Sequence, residues 1–324
     1  MPRSRLIVVV AGAVVTLGIL GAVGAFLLDP TRSAIGPLPG QGVWLASETR
    51  YVMGLDVQRL VHSAFFARYV RSGARPRSFL ELQAKTGLDP ERDVQSIIVA
   101  GQGKDDSVAL VLGSFDRETL ARVMGSPEVG TVASHSGATL YLLAGNDQDQ
   151  GPGVKLHAAT FLDDTTLALG SRPAIEALLG RRAGREPGLG QGSSLAKLLG
   201  RVKPGSTFWM VGDPSLLANL PQVLPVPGGG QDRLTIPGLL GLVVAGDVEP
   251  QVSLDLVADT KDEAAARNLA DMARGLLALA TMQASQRPEL KALTSAISVT
   301  SEQSSVRVIA RFPYAMLDLL RPVS

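Results

Sequence analysis

The apolar and polar positions divide the chain into one long apolar run and a body of short strands and amphipathic helices. Leu6–Leu28 is 23 residues long and carries no charge. As a helix it would span about 35 Å, enough to cross a bilayer core. Arg3 and Arg5 precede it, which favours a cytoplasmic N-terminus. The pattern predicts a single transmembrane anchor over residues 1–28 in an inner membrane, with the C-terminal body periplasmic or extracellular. A cleaved signal peptide is the rival reading, with Val23-Gly24-Ala25 as its cleavage site. The apolar core of such a peptide is shorter, about 7–15 residues. Residues 29–42 hold three prolines and three glycines and read as a tether.

Beyond the tether the pattern runs twice. Thr49–Leu60 and Thr207–Leu217 are each an apolar strand, then an Asp (Asp56, Asp213) at a helix N-cap position. Ile97–Gly101 matches Leu242–Gly246, and a strand follows each across turn-forming residues: Ser107–Leu112 and Gln251–Val257. Helices are predicted next, over Asp116–Met124 and Asp262–Ala284. The halves also end alike: Thr166–Leu169 runs into Arg172-Pro173, and Val306–Ala310 into Phe312-Pro313. Pro suits the first helical turn in both. Gly180–Gly192, with five glycines and a proline, separates them. The expected fold is therefore α+β: a transmembrane helix, then two related antiparallel-sheet-plus-helices halves, ferredoxin-like in outline, produced by duplication. The first repeat spans 43–180, the linker 181–193 and the second repeat 194–324. Leu220–Gln231 is too rich in Pro and Gly for a helix or central strand and reads as a surface loop.

Within Asp262–Ala284, Leu269, Met272, Leu276, Leu279 and Met282 recur at helical spacing. A helix packed on its own sheet is the expected reading, and a partner-binding helix the alternative. Trp44 and Trp209 lie on or near the opening strands of the halves, and core roles are expected for both.

Composition removes several chemistries. There is no Cys, hence no disulfide, thiolate nucleophile or cysteine metal site. The formal net charge is +1, and setting Arg3 and Arg5 aside leaves the body near neutrality. Such a body has no general attraction for nucleic acid, so no nucleic-acid partner is expected.

The short motifs read as structure. Ser194-Leu195-Ala196-Lys197 is an S-x-x-K and Lys85-Thr86-Gly87 a K-T-G, as in penicillin-binding proteins and serine β-lactamases. Their order is reversed and no S-D-N lies between them. Ser194 reads instead as a helix N-cap and Gly87 as a helix C-terminus. His62, His135 and His157 are far apart and make no zinc motif. Asn146–Asp149 lacks the twelve-residue pattern of a calcium loop, and Asp163-Asp164-Thr165 reads as a tight turn. Gly188–Gly192 follows no strand and is no dinucleotide fingerprint. No catalytic, cofactor-binding or metal-binding residue is nominated, and no cofactor is expected.

The stretch Lys85–Asp93, with Thr86-Gly87-Leu88-Asp89-Pro90-Glu91-Arg92-Asp93 at its heart, resembles one recurring in uncharacterised membrane-anchored envelope proteins of Gram-negative soil bacteria. The resemblance implies the same topology and no known activity. The expected function is a non-enzymatic, membrane-anchored envelope protein that binds or scaffolds. Its partner would be a protein or an apolar ligand held between the halves; the alternative is a periplasmic hydrolase whose site is hidden by sequence order.

Overall fold

The structure is a computed structural model that describes residues 44–71, 77–102, 106–144, 157–190, 193–214, 238–283 and 288–318. Its strands are β1 (Tyr51–Asp56), β2 (Val94–Gly101), β3 (Val108–Gly113), β4 (Gly130–His135), β5 (Ala138–Leu143) and β6 (Ala158–Phe161). They continue as β7 (Thr166–Gly170), β8 (Phe208–Gly212), β9 (Leu239–Asp247), β10 (Val252–Thr260), β11 (Ile297–Glu302) and β12 (Ser305–Phe312). All twelve join one sheet, in the order β11-β12-β10-β9-β8-β1-β2-β3-β7-β6-β5-β4. Every pairing is antiparallel.

The helices are α1 (Val57–Val61), α2 (Arg77–Thr86), α3 (Pro90–Asp93), α4 (Arg117–Met124), α5 (Arg172–Arg182) and α6 (Ser194–Leu199). After them come α7 (Glu263–Gln283), α8 (Pro288–Ser295) and α9 (Tyr314–Asp318). A π-helical turn, Phe66–Val70, follows α1. Local chemistry starts most of these elements. Asp56, Asp89, Asp116, Ser171 and Ser193 are N-caps whose side chains accept a backbone N–H of the first turn. Gly87, at φ +70°, ends α2 in the left-handed region that disfavours any side chain. Ser136 and Gly137 both have positive φ and close the β4–β5 hairpin.

The sheet is covered on both faces over the first half. On one side α1, the π-helical turn and α4 bury Leu60, Phe66, Leu120 and Met124 against Leu55, Val99 and Val111. On the other, α5 and α6 bury Ile175, Leu178, Leu195 and Leu198 against Val52, Leu110 and Trp209. That is why β2 and β3 read as nearly continuous apolar runs (VQSIIVAG, VALVLG) and not as alternating ones. Over the second half α7 packs Ala266 and Ala270 on Val244 and Val306.

Three parts of the expected fold are corrected. Among the described residues no helix is long and apolar enough to cross a membrane, so the transmembrane helix is no part of the described fold. The Leu6–Leu28 run and the tether lie outside the described residues. The halves do not form separate ferredoxin-like units. A split β-α-β unit seats its third strand between the first two, whereas here β1 pairs directly with β2 on one side and with β8 on the other, and β3 lies beyond β2. The β1–β8 pairing carries the sheet across the boundary and merges both halves. Helices also lie on both faces and not on one. The α+β composition itself stands.

Candidate functional site

A buried polar cluster lies where the two halves meet. Asp247, at the end of β9, is 1% exposed. Arg59 of α1 donates Nε–H to its Oδ1 at 2.8 Å, and Thr207 Oγ1 donates to the same oxygen at 2.5 Å. Arg59 comes from the first half while Asp247 and Thr207 come from the second, so this pair ties them together. Burial pushes the nearby Asp56 carboxyl above the usual carboxylate range, although it accepts the Arg59 N–H. Beside it, Glu249 accepts the Ala64 N–H, and Tyr314 donates its hydroxyl to the Val248 carbonyl. Burial, reinforced by the negative Glu249, raises the Tyr314 phenol above its ordinary value. Tyr69 completes the seam by donating to Asp318 Oδ1 at 3.0 Å. The Asp247 carboxylate is closed from solvent and held by a guanidinium and a hydroxyl that come from both halves. The cluster is a clasp. Only its Arg–Asp partnership across 188 positions identifies it, and no local motif shows that.

The motif residues are dispersed. Ser194 and Lys197 lie exposed on α6, and the N-cap is Ser193, one residue earlier than expected. The α6 apolar residues belong to the core on the α5 side of the sheet. Lys85 is exposed, and Thr86 is buried with its Oγ1 accepting the Leu88 N–H. α2, which carries both, packs against α4 on the opposite side. The S-x-x-K and K-T-G residues therefore lie on opposite faces of the sheet.

The histidines stay apart: His62 caps α1, His135 sits on edge strand β4, and His157 precedes β6. Among the described residues no group of three metal-ligating side chains converges. Asp163 makes the expected turn, accepting from Thr165 N and Oγ1. Asn146–Asp149, Leu220–Gln231 and the end of the Gly188–Gly192 string lie outside the described residues. Along the seam between the halves, Val52 and Val211, on the paired β1 and β8, are fully buried.

What the helix spacing singled out does form a surface. On α7, Met272, Leu276, Leu279 and Met282 are 41%, 38%, 45% and 70% exposed. Ala266 and Ala270 of the same helix have no exposure, and Leu269 is partly buried against the sheet. The apolar arc of α7 is thus wider than the sheet covers. Its charged side is self-neutralised, with Arg267 bonded to Glu263 at 2.9 Å and Arg274 to Asp271 at 2.8 Å.

No protein-family model matches the chain, and no curated protein matches it. Among solved structures it is similar to one titled "Structure of crystal form I of TP0453". The TM-score is 0.47 and the sequence identity 9%, over 86% of this chain and 94% of that one.

Proposed function

We propose that this protein is a non-enzymatic binding or scaffolding module that docks a protein partner along α7. The observation that carries this is the uncovered stripe Met272, Leu276, Leu279 and Met282. Apolar side chains at i, i+4 and i+7 on an exposed helix are the form in which a helix meets a groove or a second helix. Their flexible Met and Leu side chains suit such a contact. A bilayer surface fits less well. Interfacial helices draw on unpaired Lys and Arg, whereas both arginines of α7 are paired with carboxylates on the same helix. The partner surface is correspondingly apolar and near neutral. The mirrored strand order, β7-β3-β2-β1 meeting β8-β9-β10-β12, supports reading the halves as a duplication. On that reading the lengthened α7 is where the second copy gained its binding role.

Position-resolved photo-crosslinking tests this in cells producing the full chain. Crosslinkers at 272, 276, 279 and 282 should join one and the same protein, while those at 267, 271 and 274 should not. Leu276→Gln with Leu279→Gln should abolish the product and leave the melting temperature nearly unchanged. Labelling without positional dependence, products within the same chain, or lipid adducts would each overturn the proposal.

A further inference from the structure

The first half carries a cavity that the α7 surface does not involve. It measures about 220 Å³ and lies between α5 and the strand ends of β2 and β3, closed by the segment that leads into β1. Small residues open it: Ala174 and Ala177 on α5 face Ala100 and Gly101 of β2. Leucines at those alanines would occupy most of that volume. Trp44 lines it half-buried, packed against the core on the α5 side of the sheet.

Two polar groups enter this apolar space. Thr49 is 8% exposed and lines the cavity, and no hydrogen bond among the described residues engages its hydroxyl. Arg181 has a side chain only 10% exposed. Its Nε donates to the Trp44 carbonyl at 2.8 Å and its Nη1 reaches Glu186 at 3.3 Å. These contacts fix the guanidinium and leave Nη2 without a described partner. The Thr49 hydroxyl and the Arg181 guanidinium, both on the lining of a mostly apolar cavity that also holds Gln102 and Asp106, are a donor pair that a carboxylate can complete. The void is smaller than the roughly 300–1,000 Å³ of drug-sized sites, so the occupant is compact. Asp106 on the lining, and Glu186 and Glu48 acting on Arg181, leave room for one further negative charge at most.

We infer that the Trp44–Thr49–Arg181 cavity binds a small monocarboxylic acid with a compact apolar body. The carboxylate lies on Arg181 and Thr49, and the apolar body fills the space over Ala174 and Ala177. The site is independent of the α7 docking surface, so either proposal can fail alone.

The test uses the full chain, with benzoate and hexanoate as probes, followed by calorimetry and by NMR of the tryptophan indole N–H signals. The protein has two tryptophans, and Trp209 does not line the cavity. Both probes should bind saturably with a Kd below about 1 mM and move only the Trp44 signal. Benzamide and succinate should bind at least about tenfold more weakly, one lacking the charge and the other carrying a second. Arg181→Gln should weaken benzoate by about tenfold or more. Because that change also releases the Trp44 carbonyl, Ala177→Leu is the second variant. It narrows the void and leaves Arg181 unsubstituted, and should weaken binding by about tenfold or more with the melting temperature held or raised. Absence of a saturable signal in the wild type, equal binding of benzamide, or undiminished binding by Ala177→Leu would each overturn the inference.

Discussion

Replacing Arg59 by Ala tests whether the clasp between the halves carries stability. Asp247 is 1% exposed and shares its Oδ1 between Arg59 and Thr207. Removing one member of a buried ion pair typically costs about 3–5 kcal/mol, because the other charge stays desolvated. The Arg59 side chain is 20% exposed, so water can partly replace it, and the lower end of that range applies: about 3 kcal/mol. In a large domain about 2–4 °C of melting temperature corresponds to each kcal/mol, which predicts a fall of about 6–12 °C. Differential scanning fluorimetry and urea unfolding, compared at equal m-value, would measure it. The double variant Arg59→Met with Asp247→Leu removes both charges and should recover more than half of the loss. A fall under about 2 °C for Arg59→Ala, or a double variant as unstable as the sum of the singles, would refute a clasp role.

Other perturbations test the packing and the charges around it. A Cβ on Gly54 would lie 2.5 Å from the Trp209 indole across the β1–β8 seam, so Gly54→Ala should cost about 1–3 kcal/mol in urea unfolding. Gly246→Ala should cost about as much, because its Cβ would enter the Phe208 ring; Phe208→Leu should offset part of that loss. Trp209 Nε1 is buried without a partner among the described residues, so Trp209→Phe should cost well below the roughly 3–5 kcal/mol of Trp209→Ala. Burial raises the Asp56 pKa, so the folded state binds its proton more tightly than the unfolded chain does. The charged form therefore destabilises the fold above the raised folded value, and the penalty fades as pH falls toward the unfolded value near about 4. Asp56→Asn keeps the cap and should raise the melting temperature at pH 7, with that advantage gone at about pH 3.5.

Much of the local structure was legible because it is set locally. Asp56 does cap a helix, Gly87 does follow the end of one, and the α7 boundaries fall within a residue of those expected. What was not legible depends on distant partners. No pattern in Thr49–Leu60 says that β1 will pair with β8, roughly 150 positions away, and that one pairing turns two sheets into one. The runs in β2 and β3 conceal which side a helix will cover because both sides are covered. Ser193 and Ser194 are equally good caps by residue type, and only the backbone distinguishes them. Arg59 and Asp247 are ordinary charged residues until the fold buries them together. The α7 spacing announced an apolar face but not that part of it would remain uncovered.

That uncovered part has a geometric cause. A helix of 21 residues is about 32 Å long. The strands beneath it shorten toward the edge, from nine residues in β10 to six in β11, about 30 Å and 20 Å. The residues follow this taper. Ala265, Ala266 and Ala270, in the N-terminal half of α7, are small enough for close approach to the sheet and are buried. From Met272 onward the larger side chains emerge. A helix needed only to cover the sheet could end near Leu277, or could carry Lys and Glu beyond it at no cost to the core. Retaining Leu279 and Met282 there leaves apolar area in water, at about 25 cal/mol for each Å² that a partner could bury. The docking proposal therefore turns on the overhang. Truncating those two side chains to Ala should leave unfolding unchanged and weaken the partner contact, whereas a loss of stability would place them in the chain's own core.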